Sequence, residues 1–324
     1  MIISIIILAA GLFGLTKGAD IFVDAASALA RKLRVPSAII GLTIVALGTS
    51  APELAVSTVS ALQGANELAL SNVIGSNIFN LLVVLGACAI FCPLPVDSII
   101  IKRDFTISII ATIAVIIASA VPAFLSGNIR TSSMYEDAGM VGRIPAAILV
   151  AAFLIYIASL VVEAKKHPTE DKDGKSGSLS KSILFLLIGL ALIVGGGEAT
   201  VYGAKGIARA FGMSETLIGL TIVAAGTSLP ELMTSIVAAR KKETELAIGN
   251  AIGSNLFNLM FILGISALIR PIGVNLASVF DLLILLTVSL ITMIFAISGK
   301  KITRAEGMIM LLIYLADLVF SIIR

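Results

Sequence analysis

A 46-residue segment occurs twice in this chain, and that repetition constrains the fold more than any other feature. Residues 41–86 read GLTIVALGTSAPELAVSTVSALQGANELALSNVIGSNIFNLLVVLG, and residues 219–264 read GLTIVAAGTSLPELMTSIVAARKKETELAIGNAIGSNLFNLMFILG. The two align without a gap at a constant offset of 178, with 28 of 46 positions identical. A duplication on this scale implies two copies of one structural unit. Each copy is apolar throughout, yet each holds a carboxylate, Glu53 or Glu231, beside a Thr-Ser pair and a proline.

The rest of the chain is as apolar as the repeats. With 58% hydrophobic and 13% charged residues and a mean hydropathy of +1.08, the 324 residues are read as an all-α integral membrane protein, its length taken up by spans of about 20 residues each. The net charge of +3 comes from short clusters between apolar runs, and no basic tract with interleaved aromatics suggests a nucleic-acid surface. Cys88 and Cys92, four apart near the end of an apolar run, are read as packing residues. His167, the only histidine, falls in a polar central stretch, so the candidate site lacks the usual general base of an enzyme. The N-terminal run has no basic leader and is read as the first span and not as a removed signal.

Ten spans are expected, at about 2–29, 37–61, 66–90, 104–125, 144–163, 180–208, 214–239, 244–269, 277–298 and 304–323. The stretch from Glu163 to Lys181, rich in Pro, Gly, Ser and mixed charge, separates a first five-span half (1–163) from a second (182–324), with 164–181 as the connecting loop. One set of alternate loops carries 16 Lys and Arg residues, and the opposite set, with the C-terminus, carries five. The basic side is therefore taken as cytoplasmic, with the central loop inside and both termini outside the cytoplasm. Because five is odd, the second copy enters from the opposite face, which makes the two halves inverted repeats with Glu53 and Glu231 near the midplane. Interrupted helices from inverted repeats that meet at that depth are the architecture of secondary transporters.

The repeat carries its own chemistry. Pro52 and Pro230 lack an N–H and clash with the carbonyl four residues back, which interrupts the helix across Gly48 and Thr49 and across Gly226 and Thr227. Thr49, Ser50 and Glu53 share a helix face, as do Thr227, Ser228 and Glu231, and the following span adds Asn72, Ser76 and Asn80, matched by Asn250, Ser254 and Asn258. The set is all oxygen, without sulfur or imidazole, and suits hard cations such as Ca²⁺ and Na⁺. Two carboxylates about 5 Å apart repel by about 3 kcal/mol at an effective dielectric of about 20. Each adds about 3 kcal/mol more at the bilayer centre. A duplicated pair held at that cost points to a ligand, with protons expected to compete for it. Asp20 and Glu198 form a second pair of acids at the same offset, read as solvated or paired toward opposite surfaces. The long first and sixth spans, Gly-rich at 11–18 and 195–197, are candidates for a moving gate.

The motifs GTSAPEL with GSNIFN, and GTSLPEL with GSNLFN, resemble the alpha-repeats of the sodium/calcium exchanger family in the calcium/cation antiporter superfamily. The resemblance covers both repeats and the five-plus-five layout. It implies an antiporter that exchanges Na⁺ for Ca²⁺ by alternating access, with no cofactor beyond the transported ions. The family's ion ligands then fall on Glu53 and Glu231 for Ca²⁺, helped by Thr49 and Thr227. For the surrounding Na⁺ positions they fall on Ala46, Ser50, Ser76 and Asn80, and on Ala224, Ser228, Ser254 and Asn258. Many relatives, including those that also use potassium, carry Asp where this chain has Asn258, so two carboxylates here balance one Ca²⁺ or two Na⁺. A Ca²⁺/H⁺ antiporter is the alternative reading, and a cation channel stands behind it. The expected partners are the bilayer, Ca²⁺ and Na⁺, without nucleic acid or an obligate protein partner.

Overall fold

The computed structural model describes residues 1–125, 137–166, 178–213 and 224–323, together with Pro168, Ile218 and Ile222. His167, most of the central loop and the first residues of the second repeat lie outside the described residues, as does most of the polar stretch from 126. Everything that positions the site is helical. α1 (Ile2–Leu33) carries Arg31 and Lys32 in its last turn, where cations complement the helix dipole, and it closes on Arg34 in the left-handed region before Val35 and Pro36. α2 (Ser37–Thr49) and α3 (Ala51–Gln63) form one span bent by 49° at Ser50. Pro52 sits in the first turn of α3, where its missing N–H leaves no bond unmade. The ladder has Ser50 N–H on the carbonyl of Ala46 at 3.0 Å and Leu54 N–H on that of Ser50 at 3.1 Å, so the interruption is confined to the carbonyls of Leu47, Gly48 and Thr49. α3 ends at Gly64 with φ +78°, and a Cβ there would also meet the Arg270 guanidinium at 2.5 Å.

α4 comprises Asn66–Phe79, a wide π turn at Asn80–Val84, and Leu85–Phe91. α5 (Thr106–Leu125), α6 (Arg143–Lys166) and α7 (Leu179–Ala210) follow. The second copy of the repeat is represented by the turn Ala224–Gly226, by α8 (Leu229–Arg240) and by α9, which runs Thr244–Leu256, a π turn at Phe257–Ile262, and Leu263–Ile269. α10 (Leu276–Gly299) starts on an Asn275 cap whose side chain accepts from Ser278 N–H, and α11 (Arg304–Ile323) ends the fold.

Seven helices among the described residues are long and apolar enough to cross a membrane, and the bent α2–α3 pair makes eight. They sort into two shells. α4 and α9 are 78% buried over their apolar windows, whereas α1, α6, α7, α10 and α11 are only 11–33% buried. The outer shell exposes Phe13, Ile144, Leu187, Ile294 and Leu312 around a polar centre. Such an apolar exterior is stable only in lipid, and the chain is an integral membrane protein.

α1 and α7 cross closely through small residues: a Cβ on Gly196 would lie 2.5 Å from Leu15 N, and one on Gly189 would lie 2.7 Å from Phe22 N. Two short antiparallel ribbons stitch distant parts of the chain. β1 (Leu94–Pro95), after α4, pairs with β4 (Lys301–Ile302), before α11, and β2 (Asp137–Val141), before α6, pairs with β3 (Ile272–Asn275), after α9.

Candidate ion-binding site

Glu53 and Glu231 occupy the first turns of α3 and α8, where the exposed N–H groups and the helix dipole favour an anion. Both side chains are fully buried. The serine three residues before each glutamate reaches across to the other copy. Ser50 donates to Glu231 Oε1 at 2.6 Å, and Ser228 donates to Glu53 Oε1 at 3.1 Å. Within each copy, Ser76 donates to Glu53 Oε1 and Ser254 to Glu231 Oε1, both at 3.5 Å. Each Oε1 thus takes two hydroxyl groups, while Glu53 Oε2 and Glu231 Oε2 are buried without a partner.

A second set of amides fixes the backbone that carries the acids. Asn72 Nδ2 donates to the Glu53 carbonyl at 3.4 Å and to Ser57 at 2.9 Å, and Asn250 Nδ2 donates to the Glu231 carbonyl at 3.3 Å and to Ser235 at 2.9 Å. Asn77 and Asn255 exchange bonds, each donating to the other's main-chain carbonyl at 3.2 Å. The same bonds thus recur with the two copies interchanged.

Asn80 opens the π turn of α4 and Asn258 lies in that of α9. An i→i+5 turn inserts an extra residue and turns the backbone out of α-helical register, a feature concentrated at functional sites. Both asparagines are fully buried, and none of their four side-chain polar atoms has a partner. A buried polar atom without a partner costs about 1–3 kcal/mol, more for a charged group, so these atoms and the two Oε2 atoms ask for a ligand.

Ala46 is buried on α2, and Ala224 begins the Ala224–Gly226 turn with its side chain outside the described residues. The threonines break the symmetry. Thr49 is buried, its hydroxyl 3.1 Å from both the Val45 carbonyl and Asn250 Oδ1. Thr227 is partly exposed, its hydroxyl has no partner, and it lines a cavity of about 350 Å³ with Pro52, Gly226 and Pro230. The cavity thus reaches Thr227 and not Thr49, while the Thr227 hydroxyl itself stays buried.

All twelve residues expected from the sequence lie on the interrupted segments and the two core helices, and the carboxylates and hydroxyls of both copies meet at one centre. Sequence reasoning missed the roles of Ser57 and Ser235, although each sits four residues after its glutamate in both copies. Asn72 and Asn250, which spacing places on the same polar stripe, hydrogen-bond between helices and support the acids. Among the described residues, no three or more His, Cys, Asp or Glu side chains cluster as a metal site. The donors here are two carboxylates with hydroxyl and amide oxygens, a set suited to hard cations.

The chain is also similar to known proteins along its whole length. The chain matches the profile of the sodium/calcium exchanger protein family over residues 3–162 and 181–323. It is 37% identical over 327 residues to the putative antiporter CaxA of Alkalimonas amylolytica, covering 97% of each chain. It is 34% identical over 342 residues to the sodium/calcium exchanger MaX1 of Methanosarcina acetivorans, covering 98% of each. Among solved structures, the sodium-calcium exchanger NCX_Mj superposes with a TM-score of 0.80 at 31% identity, covering 98% of both chains. With the duplicated motif, the two buried glutamates and these full-length matches in agreement, the chain belongs to the sodium/calcium exchanger family.

Proposed function

We propose that this protein is a secondary active antiporter that exchanges Na⁺ for Ca²⁺ at the Glu53/Glu231 centre by alternating access. One observation carries the reading: Glu53 Oε2 and Glu231 Oε2 are buried without partners, together with every side-chain polar atom of Asn80 and Asn258. An ionised carboxylate in that setting is stable only with a counter-charge. Ca²⁺ takes the two glutamates with Thr49 and Thr227. Na⁺ takes positions around them formed by Ala46, Ser50, Ser76 and Asn80 and by Ala224, Ser228, Ser254 and Asn258. Two negative charges balance one Ca²⁺ or two Na⁺, so the ions compete for the same centre.

The reading includes ten spans in two inverted five-helix halves, 1–163 and 182–324, with the 164–181 loop in the cytoplasm and both termini outside it. The copy-exchanging hydrogen bonds and the ribbons β1–β4 and β2–β3 support the two-fold relation of the halves. The cavity at Thr227 lies along the C-terminal part of α7, from Val194 to Lys205, so in this topology it opens to the extracytoplasmic side. Alternating access then means closing the second copy over its threonine while the first releases Thr49 from Asn250.

Purified protein in liposomes, with Na⁺, K⁺ and H⁺ gradients imposed separately, tests the proposal. Ca²⁺ uptake driven uphill by an opposed Na⁺ gradient is expected, and Glu53→Gln or Glu231→Gln is expected to abolish it. Uptake driven by a pH gradient without Na⁺ would make the proton the counter-ion, and flux that never couples uphill would make the protein a channel. Undiminished exchange in Glu53→Gln would rule out the centre itself.

A further inference from the structure

The cavity that reaches Thr227 has one wall from α7, and two charged side chains stand on that wall, Glu198 and Lys205. With Tyr202 they follow the i, i+4, i+7 pattern of one helix face, about 10 Å separating the two charges along the axis. Glu198 is the inner of the two, close in sequence to Gly197, which lines the same cavity as Pro230 and Thr227. Among the described residues neither Glu198 nor Lys205 forms an ion pair. The remaining wall is largely apolar, and a low-dielectric wall focuses the field of a charge into the aqueous space.

The matching position in the first copy makes the arrangement informative. Asp20 lies 178 residues before Glu198, on α1, and there a lysine meets it: Lys241 Nζ is 3.4 Å from Asp20 Oδ1 and 2.7 Å from Asp24 Oδ1. Gln63 stands at the position equivalent to Lys241, so nothing equivalent neutralises Glu198. The same acid is thus paired with a cation in the first half and left unpaired on the cavity wall in the second.

On the exchanger reading above, we infer that Glu198 is a cation-capture residue: its carboxylate concentrates Na⁺ and Ca²⁺ in the cavity before they pass Thr227 into the site, and Lys205 opposes it from farther along the same wall. The work done by a fixed charge on an ion is proportional to the ion's charge, so a factor f in local Na⁺ concentration is a factor f² for Ca²⁺. Glu198 therefore favours the divalent ion before any ligand contact is made.

The test measures apparent KM for Na⁺ and for Ca²⁺, offered from the cavity side to liposome-reconstituted protein, at low and high concentrations of an inert salt. Glu198→Gln is expected to raise the KM for Na⁺ about threefold and that for Ca²⁺ about tenfold at low salt, with Vmax unchanged. Both shifts are expected to shrink at high salt, where screening shortens the field's reach. Lys205→Gln is expected to lower both values, and Glu198→Asp to restore most of the wild-type behaviour. Equal factors for the two ions, a salt-independent shift, or a changed Vmax with KM intact would overturn the capture role and leave Glu198 as a packing residue. Wild-type protein that exchanges neither ion would overturn the exchanger reading. Unaltered KM in Glu198→Gln beside an active wild type would overturn the capture role alone.

Discussion

Asn80 and Asn258 are the residues on which the charge of the loaded site turns, because both are amides where a carboxylate would add a third negative charge. Their polar atoms are buried and unpartnered, and removing them costs the folded protein little while depriving a bound ion of a ligand. Asn258→Leu is accordingly expected to leave thermal stability in detergent within about 1 kcal/mol of wild type and to weaken Na⁺ binding about tenfold. Isothermal titration with Na⁺ and a thermal melt check both halves of that statement, and unchanged affinity would remove Asn258 from the ion shell. The glutamates were legible in the sequence because a duplicated acid in an apolar run has no ordinary packing role. The serine bonds were not. Spacing places Ser50 on a face with Glu53, but only the three-dimensional arrangement directs it to Glu231. The support given by Ser57 and Ser235 was hidden for the same reason: their amide partners come from the next helix.

At the scale of the helices, hydropathy and lysine-arginine breaks led to ten expected spans, and among the described residues up to eight helices are long and apolar enough to be spans. The expected span at 2–29 lies within Ile2–Leu33, and that at 277–298 within Leu276–Gly299. Pro52 and Pro230 announced the breaks ahead of the glutamates. The π turns at Asn80–Val84 and Phe257–Ile262 had no such signal, since an i→i+5 turn depends on what packs beside it and not on a residue type. The small-residue crossing of α1 and α7 joins the two long helices expected to move, and Lys241, just past α8, ties α1 down through Asp20 and Asp24. These pairs are partly exposed and contribute about 1 kcal/mol or less. In a protein poised between two states that is enough to matter. Lys241→Gln is expected to shift the population toward states with α1 released from α8 by about threefold to fivefold. Pulsed electron-spin distances between labels on α1 and α8 measure this shift, and an unaltered distance distribution would show the contact to be incidental.

For the molecule as a whole, the repeat led to an expectation of two halves and the loop charges to an orientation for them. What the sequence concealed is that the parts are sewn together. β1 belongs to the first part and β4 to the second, and β3 and β2 return the exchange. Cutting the chain within 169–177 is therefore expected to leave two fragments that co-purify and still carry out exchange. A protease site inserted there, followed by size-exclusion chromatography and the flux assay, checks this, and fragments that separate in mild detergent would contradict it.

The same stitching bears on how the protein is made. Residues 94–95 wait for a partner at 301–302, synthesised more than 200 residues later, so the first part leaves the ribosome with an edge that nothing yet covers. That edge is expected to be covered only once residues 301–302 have been made, and chains truncated before residue 301 are expected to be the ones that membrane quality control degrades.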